Sequence, residues 1–248
     1  MNPVTDAKLD LELLPPSTVR RMEQVIAAVR AAIDDGRMKP GLKYSVYQLA
    51  EALGISRTPV REALLRLEEA GLIKFEARQG FRIVLPQPKE IAEIFAVRLA
   101  LELPAVRRAA GTTDPSFRRA LIMNRQLMQS AAIEGNKSVF AQHDFQLHDL
   151  ILEAADNGCS RAIVTSLRET IRLLGASTAG KTRSLTEIEN EHAPIIAAIL
   201  AGDSNSAEAA MRDHLVRTGK LLIAQVLQNE DTNITVEDIW SSAISFEN

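Results

Sequence analysis

The chain has 248 residues, of which 46% are hydrophobic and 25% charged, the balance of a folded chain with room for more than one small domain. No apolar run reaches the ~18–20 residues that span a bilayer, and the first ten residues lack the apolar core of a secretory leader. A single cysteine, Cys159, excludes an internal disulfide framework and fits a reducing cytoplasm, and aromatics at 4% are thin for an all-β fold.

The net charge of −3 hides an asymmetry, because residues 37–82 hold 9 Lys and Arg against 5 Asp and Glu. A basic surplus confined to one module suits a nucleic-acid partner even when the whole chain is acidic.

In chain order, Ser17 follows Pro15 and Pro16 and caps a helix through Val25, Val29 and Ile33 that stops at Gly36. Lys39-Pro40-Gly41 is a turn. Ser45 starts a short helix through Leu49 and Leu53, ended by Gly54. Ser56 caps a third helix, with Pro59 in its first turn and Val60, Ala63, Leu64 and Leu67 as its apolar face. Leu72 to Arg78 and Phe81 to Leu85 form a hairpin around Gln79-Gly80, and Pro86 and Pro88 bracket a linker. Six helical segments follow, roughly 89–110, 115–134, 137–155, 159–175, 185–201 and 205–229, with Ser184 and Glu187 spaced as a capping box at the fifth. The expected fold is mainly α: a winged helix-turn-helix domain at 1–86, an all-α six-helix bundle at 87–232, and a tail at 233–248 whose Trp240 has no assigned place.

A short helix, a glycine-containing turn and a second helix make a DNA-reading unit whose second helix enters the major groove by its N-terminal end. Ser56, Arg57, Thr58 and Arg61 fall in that end, where free backbone N–H groups also attract phosphate. Arg57 and Arg61 share a face, and arginine grips guanine O6 and N7 in a bidentate manner. Arg78 and Gly80 at the hairpin tip would bring a wing to the DNA backbone or minor groove. The run Leu53-Gly54-Ile55-Ser56-Arg57-Thr58-Pro59-Val60-Arg61-Glu62-Ala63-Leu64, with Arg66-Leu67-Glu68 and Gly71-Leu72-Ile73 after it, resembles the winged-helix signature of GntR-family regulators. That resemblance implies DNA contacts at Arg57, Thr58, Arg61 and the wing Gly80.

In the helical part, Asp144 and His148 are one turn apart, on a stripe with Phe140 and Ile151. His192 shares a stripe with Ile188, Ile195 and Ile199, and His214 one with Ala207, Ala210 and Leu221. Three inward imidazoles and a carboxylate that converge would bind a divalent ion with positions left open for a ligand. Arg98 falls on the buried stripe of Ile91, Ile94, Leu101 and Ala105, and a buried guanidinium needs an anion. Glu102, four residues on, is the internal candidate, and an effector carboxylate is the functional one.

Val97-Arg98-Leu99-Ala100-Leu101-Glu102, Asp144 to His148, Glu191-His192 and His214-Leu215 resemble the FCD effector domain of the FadR subfamily. The resemblance implies that Asp144, His148, His192 and His214 hold a metal, zinc or nickel, and that Arg98 helps bind small carboxylates. Six helices place the domain nearer the VanR-like group. Pro194, two residues after His192, departs from the pattern and removes a hydrogen bond to the Asn190 carbonyl.

Gly175 to Thr182 fits the G-x-x-x-x-G-K-[ST] pattern of a phosphate-binding loop, but helical periodicity precedes it where that loop needs a strand. A metal-dependent hydrolase on the His/Asp group is the rival enzymatic reading, and it leaves the DNA-reading unit unexplained. The expectation is a cytoplasmic, non-enzymatic transcription regulator, a repressor, that binds a palindromic operator as a homodimer. A small organic acid at the metal would release it.

Overall fold

A computed structural model describes residues 21–34, 36–39, 41–69, 71–76, 79–84, 87–173, 178–180, 182–228 and 233–244. The expected cap Ser17, the wing residue Arg78 and the linker residue Pro86 lie outside the described residues. So do Gly175, Ala176, Ser177 and Lys181 of the phosphate-loop pattern. The chain divides between Pro86 and Gln87 into two compact units, with a short segment at the end of the fourth bundle helix grouped apart from its neighbours.

The first unit contains α1 (Arg21–Asp34), β1 (Lys43–Tyr44), α2 (Val46–Ala52), α3 (Arg57–Glu69), β2 (Ile73–Glu76) and β3 (Gly80–Ile83). Ser45 caps α2 by accepting from the Tyr47 N–H, and Gln48 reaches back to complete the capping box. Val60, Ala63, Leu64 and Leu67 repeat at helical spacing on α3 and are fully buried with Val25, Val29, Leu49 and Leu53. This core fixes the angle between α2 and α3 and turns the other face of α3 outward.

The sheet is antiparallel in the order β1-β3-β2, with Phe75 opposite Phe81 and Tyr44 opposite Phe81 on either side. Among the described residues, Leu72 and Val84 fall outside β2 and β3, and β1, after the turn region, is a strand absent from the sequence expectation. Gly80 has a φ of +89°, and a Cβ there would stand 2.1 Å from the Tyr44 carbonyl oxygen. Only glycine lets β3 approach β1 so closely.

The second unit contains α4 (Pro88–Ala110), α5 (Pro115–Ile133), α6 (Lys137–Ala154), α7 (Gly158–Leu173), α8 (Leu185–Ala201), α9 (Ser204–Leu227) and α10 (Val236–Ile244). The first six are the expected bundle. Ser184 and Glu187 form the expected capping box on α8, with the Glu187 N–H donating to Ser184 Oγ at 3.1 Å. Helix α4 is central, packing against α6, α8, α9 and α10. Its buried surface therefore extends beyond the expected stripe to Phe95, Leu99, Glu102 and Val106.

The tail supplies α10, a helix absent from the sequence expectation. Its Trp240 is buried over Gly219 of α9, with its ring centroid 6.4 Å from that of Phe95. A side chain at 219 would occupy the space of the indole, because a Cβ there would come 2.4 Å from Trp240 Cζ3. No helix among the described residues is long and apolar enough to cross a membrane.

Candidate functional site

On the first unit, burial of one face of α3 leaves Ser56, Arg57, Thr58 and Arg61 exposed at its N-terminal end. Arg57 and Arg61 are paired with no acid among the described residues. Lys43, by contrast, is tied into the sheet, its Nζ 2.9 Å from Glu76 Oε2, and Arg82 joins the same carboxylate at 3.3 Å. The charges of the sheet are thus partly neutralised, while those at the start of α3 are free.

On the second unit, Asp144 and His148 of α6, His192 of α8 and His214 of α9 come together, each offering a ligand atom within 4.8 Å of the others. The ring centroids of His192 and His214 are 4.4 Å apart, and that of His148 lies 5.9 and 5.5 Å from them. His148 and His192 are fully buried. The stripe carrying His214 runs through Ala207, Met211 and Leu215, since Ala210 and Leu221 are only half-buried.

His148 Nδ1 is hydrogen-bonded to Glu102 Oε2, and His214 Nδ1 to Glu191 Oε2 at 3.1 Å. Each carboxylate occupies one ring nitrogen, so the other nitrogen, Nε2, is available to a ligand. His148 Nε2 and both nitrogens of His192 are buried without a hydrogen bond, His192 Nε2 lying 3.3 Å from Asp144 Oδ1. Unpartnered buried imidazole nitrogens beside a carboxylate are costly in a bare protein and are what a divalent ion would satisfy. The donor set of three imidazoles and one carboxylate fits a divalent transition-metal ion.

Burial lowers the His148 pKa to about 4, helped by the charge of Arg168 and opposed by Glu102. Burial and the neighbouring His214 likewise push His192 well below the usual imidazole range. Both rings are therefore neutral near pH 7, the form that can ligate a metal. For Asp144, burial acts to raise the pKa but is outweighed by Arg168 and the three imidazoles, so the carboxyl stays ionised.

Arg168 and Arg183 escape a reading by periodicity, and Glu102, expected only as the partner of Arg98, makes a second bond. Arg168 of α7, about nine-tenths buried, donates from Nη2 to Asp144 Oδ2 at 2.8 Å and stacks over Phe145. Glu102 joins Arg98 to His148, accepting from Arg98 Nε at 2.7 Å through its other oxygen. Arg183, buried in the connection between α7 and α8, pairs with Glu191 and reaches Thr218 Oγ1 at 3.1 Å. Arg98 thus has the internal partner offered by its own helix, yet its Nη2 is buried and unpartnered. The residues preceding the phosphate-loop pattern are helix α7, which lacks the strand such a loop requires.

The arrangement is a buried group of imidazoles, carboxylates and paired arginines in one unit, in a chain whose other unit carries an exposed helix-turn-helix. That combination fits a transcription regulator, and comparison with known proteins agrees. Residues 21–83 match the family model "Bacterial regulatory proteins, gntR family", and residues 93–217 match the FCD domain. The chain belongs to the gntR family and carries an FCD domain, and the members of this family are transcriptional regulators and not enzymes.

Among its relatives is an uncharacterized HTH-type transcriptional regulator in the TAR-I ttuE-ttuC' intergenic region of Agrobacterium vitis. That protein is 32% identical over 56% of this chain and 83% of its own length. A probable D-xylose utilization operon transcriptional repressor of Paenarthrobacter nicotinovorans is 30% identical over 74% of this chain and 80% of its own length. The solved structure of E. coli McbR/YncC has the same fold, with a TM-score of 0.63 at 24% identity, covering 84% of this chain and all of that one.

Proposed function

We propose that the chain is a metabolite-responsive repressor that binds a palindromic operator as a homodimer and is released by a small carboxylate at a metal-containing site. The observation that carries this reading is the set of four ligating groups within 4.8 Å, with unpartnered nitrogens on His148 and His192, in an FCD domain.

In this reading, Arg57 and Arg61 contact base edges or phosphates, while Ser56 and Thr58 position the start of α3 on the backbone. Arg78 and Gly80 belong to the wing, Gly80 also serving the close pairing of β3 with β1. Asp144, His148, His192 and His214 hold the metal, zinc or nickel. The metal supplies positive charge and open coordination positions for a carboxylate oxygen. Glu102 and Glu191 orient two of the imidazoles, and Arg98 offers Nη2 to the effector.

An effector changes DNA affinity only if it binds the DNA-competent and released states differently. Helix α4, which carries Arg98, begins at Pro88, directly after the wing in sequence. Contacts made at Arg98 therefore act on the first element that follows the DNA-reading unit. In this reading the protein acts in the cytoplasm, where its operator would be.

The test has two parts. Duplexes selected from a random pool should be palindromic, and the zinc-loaded chain should bind them more weakly when a cognate carboxylate is added. Selection of unrelated sequences, or indifference of the complex to every carboxylate of a broad panel, would contradict the reading.

A further inference from the structure

Arg98 Nη2 and Arg168 Nε are both buried and without hydrogen-bond partners, although each guanidinium is anchored at another atom, to Glu102 and Asp144 respectively. The anchors leave one donor on α4 and one on α7 facing no acceptor of the protein, near the same cluster of imidazoles. The two guanidiniums are close enough to act on one another electrostatically. A buried donor of a charged group left unsatisfied costs more than a neutral one, so two in one site imply an acceptor from outside.

The charges give the acceptor's valence. Glu102 and Asp144 balance Arg98 and Arg168, each pair at hydrogen-bond distance. Glu191, behind His214, is balanced by the buried Arg183, and Arg217, 3.2 Å from its other oxygen, is largely exposed and screened by solvent. Metal-bound imidazoles are neutral, so a divalent ion would leave two positive charges uncompensated in a buried site.

We infer that the effector is a small dicarboxylate, with one carboxylate at Arg98 and the other at Arg168, its two negative charges offsetting those of the metal. The inference rests on the proposed metal-dependent effector site and narrows its ligand from carboxylates at large to dianions. Arg168 then has two roles, holding Asp144 through Nη2 and the effector through Nε.

Calorimetric titration of the full, zinc-loaded chain with carbon-matched pairs (malonate and propionate, succinate and butyrate, glutarate and valerate) provides the test. At least one dicarboxylate should bind about tenfold or more tightly than its monocarboxylate partner. In Arg168→Gln that ratio should fall towards one, and Arg168→Lys should restore part of it, with zinc content measured in each variant. Where Arg168→Gln loses zinc, the ratio in the unaltered chain and in Arg168→Lys decides. Monocarboxylates that bind as tightly as their partners would overturn the inference and leave the metal-dependent site standing. So would a dicarboxylate preference undiminished in a zinc-retaining Arg168→Gln. Binding of neither class would overturn the effector reading on which it rests.

Discussion

Arg98 Nε donates to Glu102 Oε1 at 2.7 Å, one helical turn along α4, and both side chains are buried. The second oxygen of Glu102 holds His148, so one carboxylate ties a buried guanidinium to an imidazole of the proposed metal site. Burial acts to raise the Glu102 pKa, but Arg98, His148 and Arg168 outweigh it and keep the group ionised.

Removal of Glu102 should therefore be severe. Glu102→Ala leaves Arg98 buried and uncompensated, a change that costs about 3–5 kcal/mol. Chemical denaturation of the metal-free chain should show this loss. Glu102→Gln, which keeps the shape and one acceptor, should fold better but bind zinc more weakly, since His148 loses its orienting charge. Unchanged zinc affinity in Glu102→Gln would remove Glu102 from the site.

The pH dependence of the metal-free chain follows from the buried imidazoles. An unfolded imidazole titrates near 6.5, whereas folded His148 resists protonation down to about 4, and His192 is shifted in the same direction. Between those values the unfolded chain takes up protons that the folded chain refuses. Their contribution to stability is thus fully present above about pH 6.5 and is lost as pH falls towards 4. Melting curves of chelator-treated protein should shift downward across this window, and His148→Ala should flatten the slope. A melting temperature that rises on acidification would contradict the assignment.

Gly219 is the site where α10 docks. Alanine is normally worth up to about 1 kcal/mol over glycine within a helix. Here its methyl group would collide with Trp240, so Gly219→Ala should destabilise by about 1–3 kcal/mol. Trp240 is the only tryptophan, so its emission reports the displacement directly and should move to longer wavelength. A stabilised variant with unchanged emission would show that the tail does not pack there.

Arg61→Ala should weaken binding to a selected operator by about 1–3 kcal/mol if the contact is bidentate to guanine. Equal losses on operator and random duplex would assign Arg61 to phosphate positioning. No loss on either would remove it from the DNA contact.

The bundle helices were legible because glycine, proline and capping residues mark their ends, as Ser184 and Glu187 do for α8. The ligating group was legible because Asp144, His148, His192 and His214 each fall on an apolar stripe, and apolar stripes converge in a bundle. Arg168 was not, because α7 carries two overlapping apolar rows. The row through Ile163 looks dominant in sequence, yet Ile163 is 42% exposed while Val164, one turn before Arg168, is fully buried. Glu102 is visible as the neighbour of Arg98, but its bond to His148 joins residues 46 positions apart, a pairing that local spacing does not encode. The docking of α10 depends likewise on the absence of a side chain at Gly219, which reads in sequence as a mere weakness of α9.

In the proposed function, a carboxylate bound through Arg98 at the proposed metal site controls DNA affinity. Fluorescence anisotropy of a selected operator duplex tests it directly, with the zinc-loaded chain and its Arg98→Ala variant titrated with the carboxylate that binds most tightly. Carboxylate should lower the operator affinity of the unaltered chain by about fivefold or more. Arg98→Ala loses the Glu102 ion pair, so its folded fraction is measured first; that fraction should bind operator near normally without carboxylate and show no response when it is added. A variant that retains both normal operator binding and the full response would contradict the account and locate the sensing contact elsewhere.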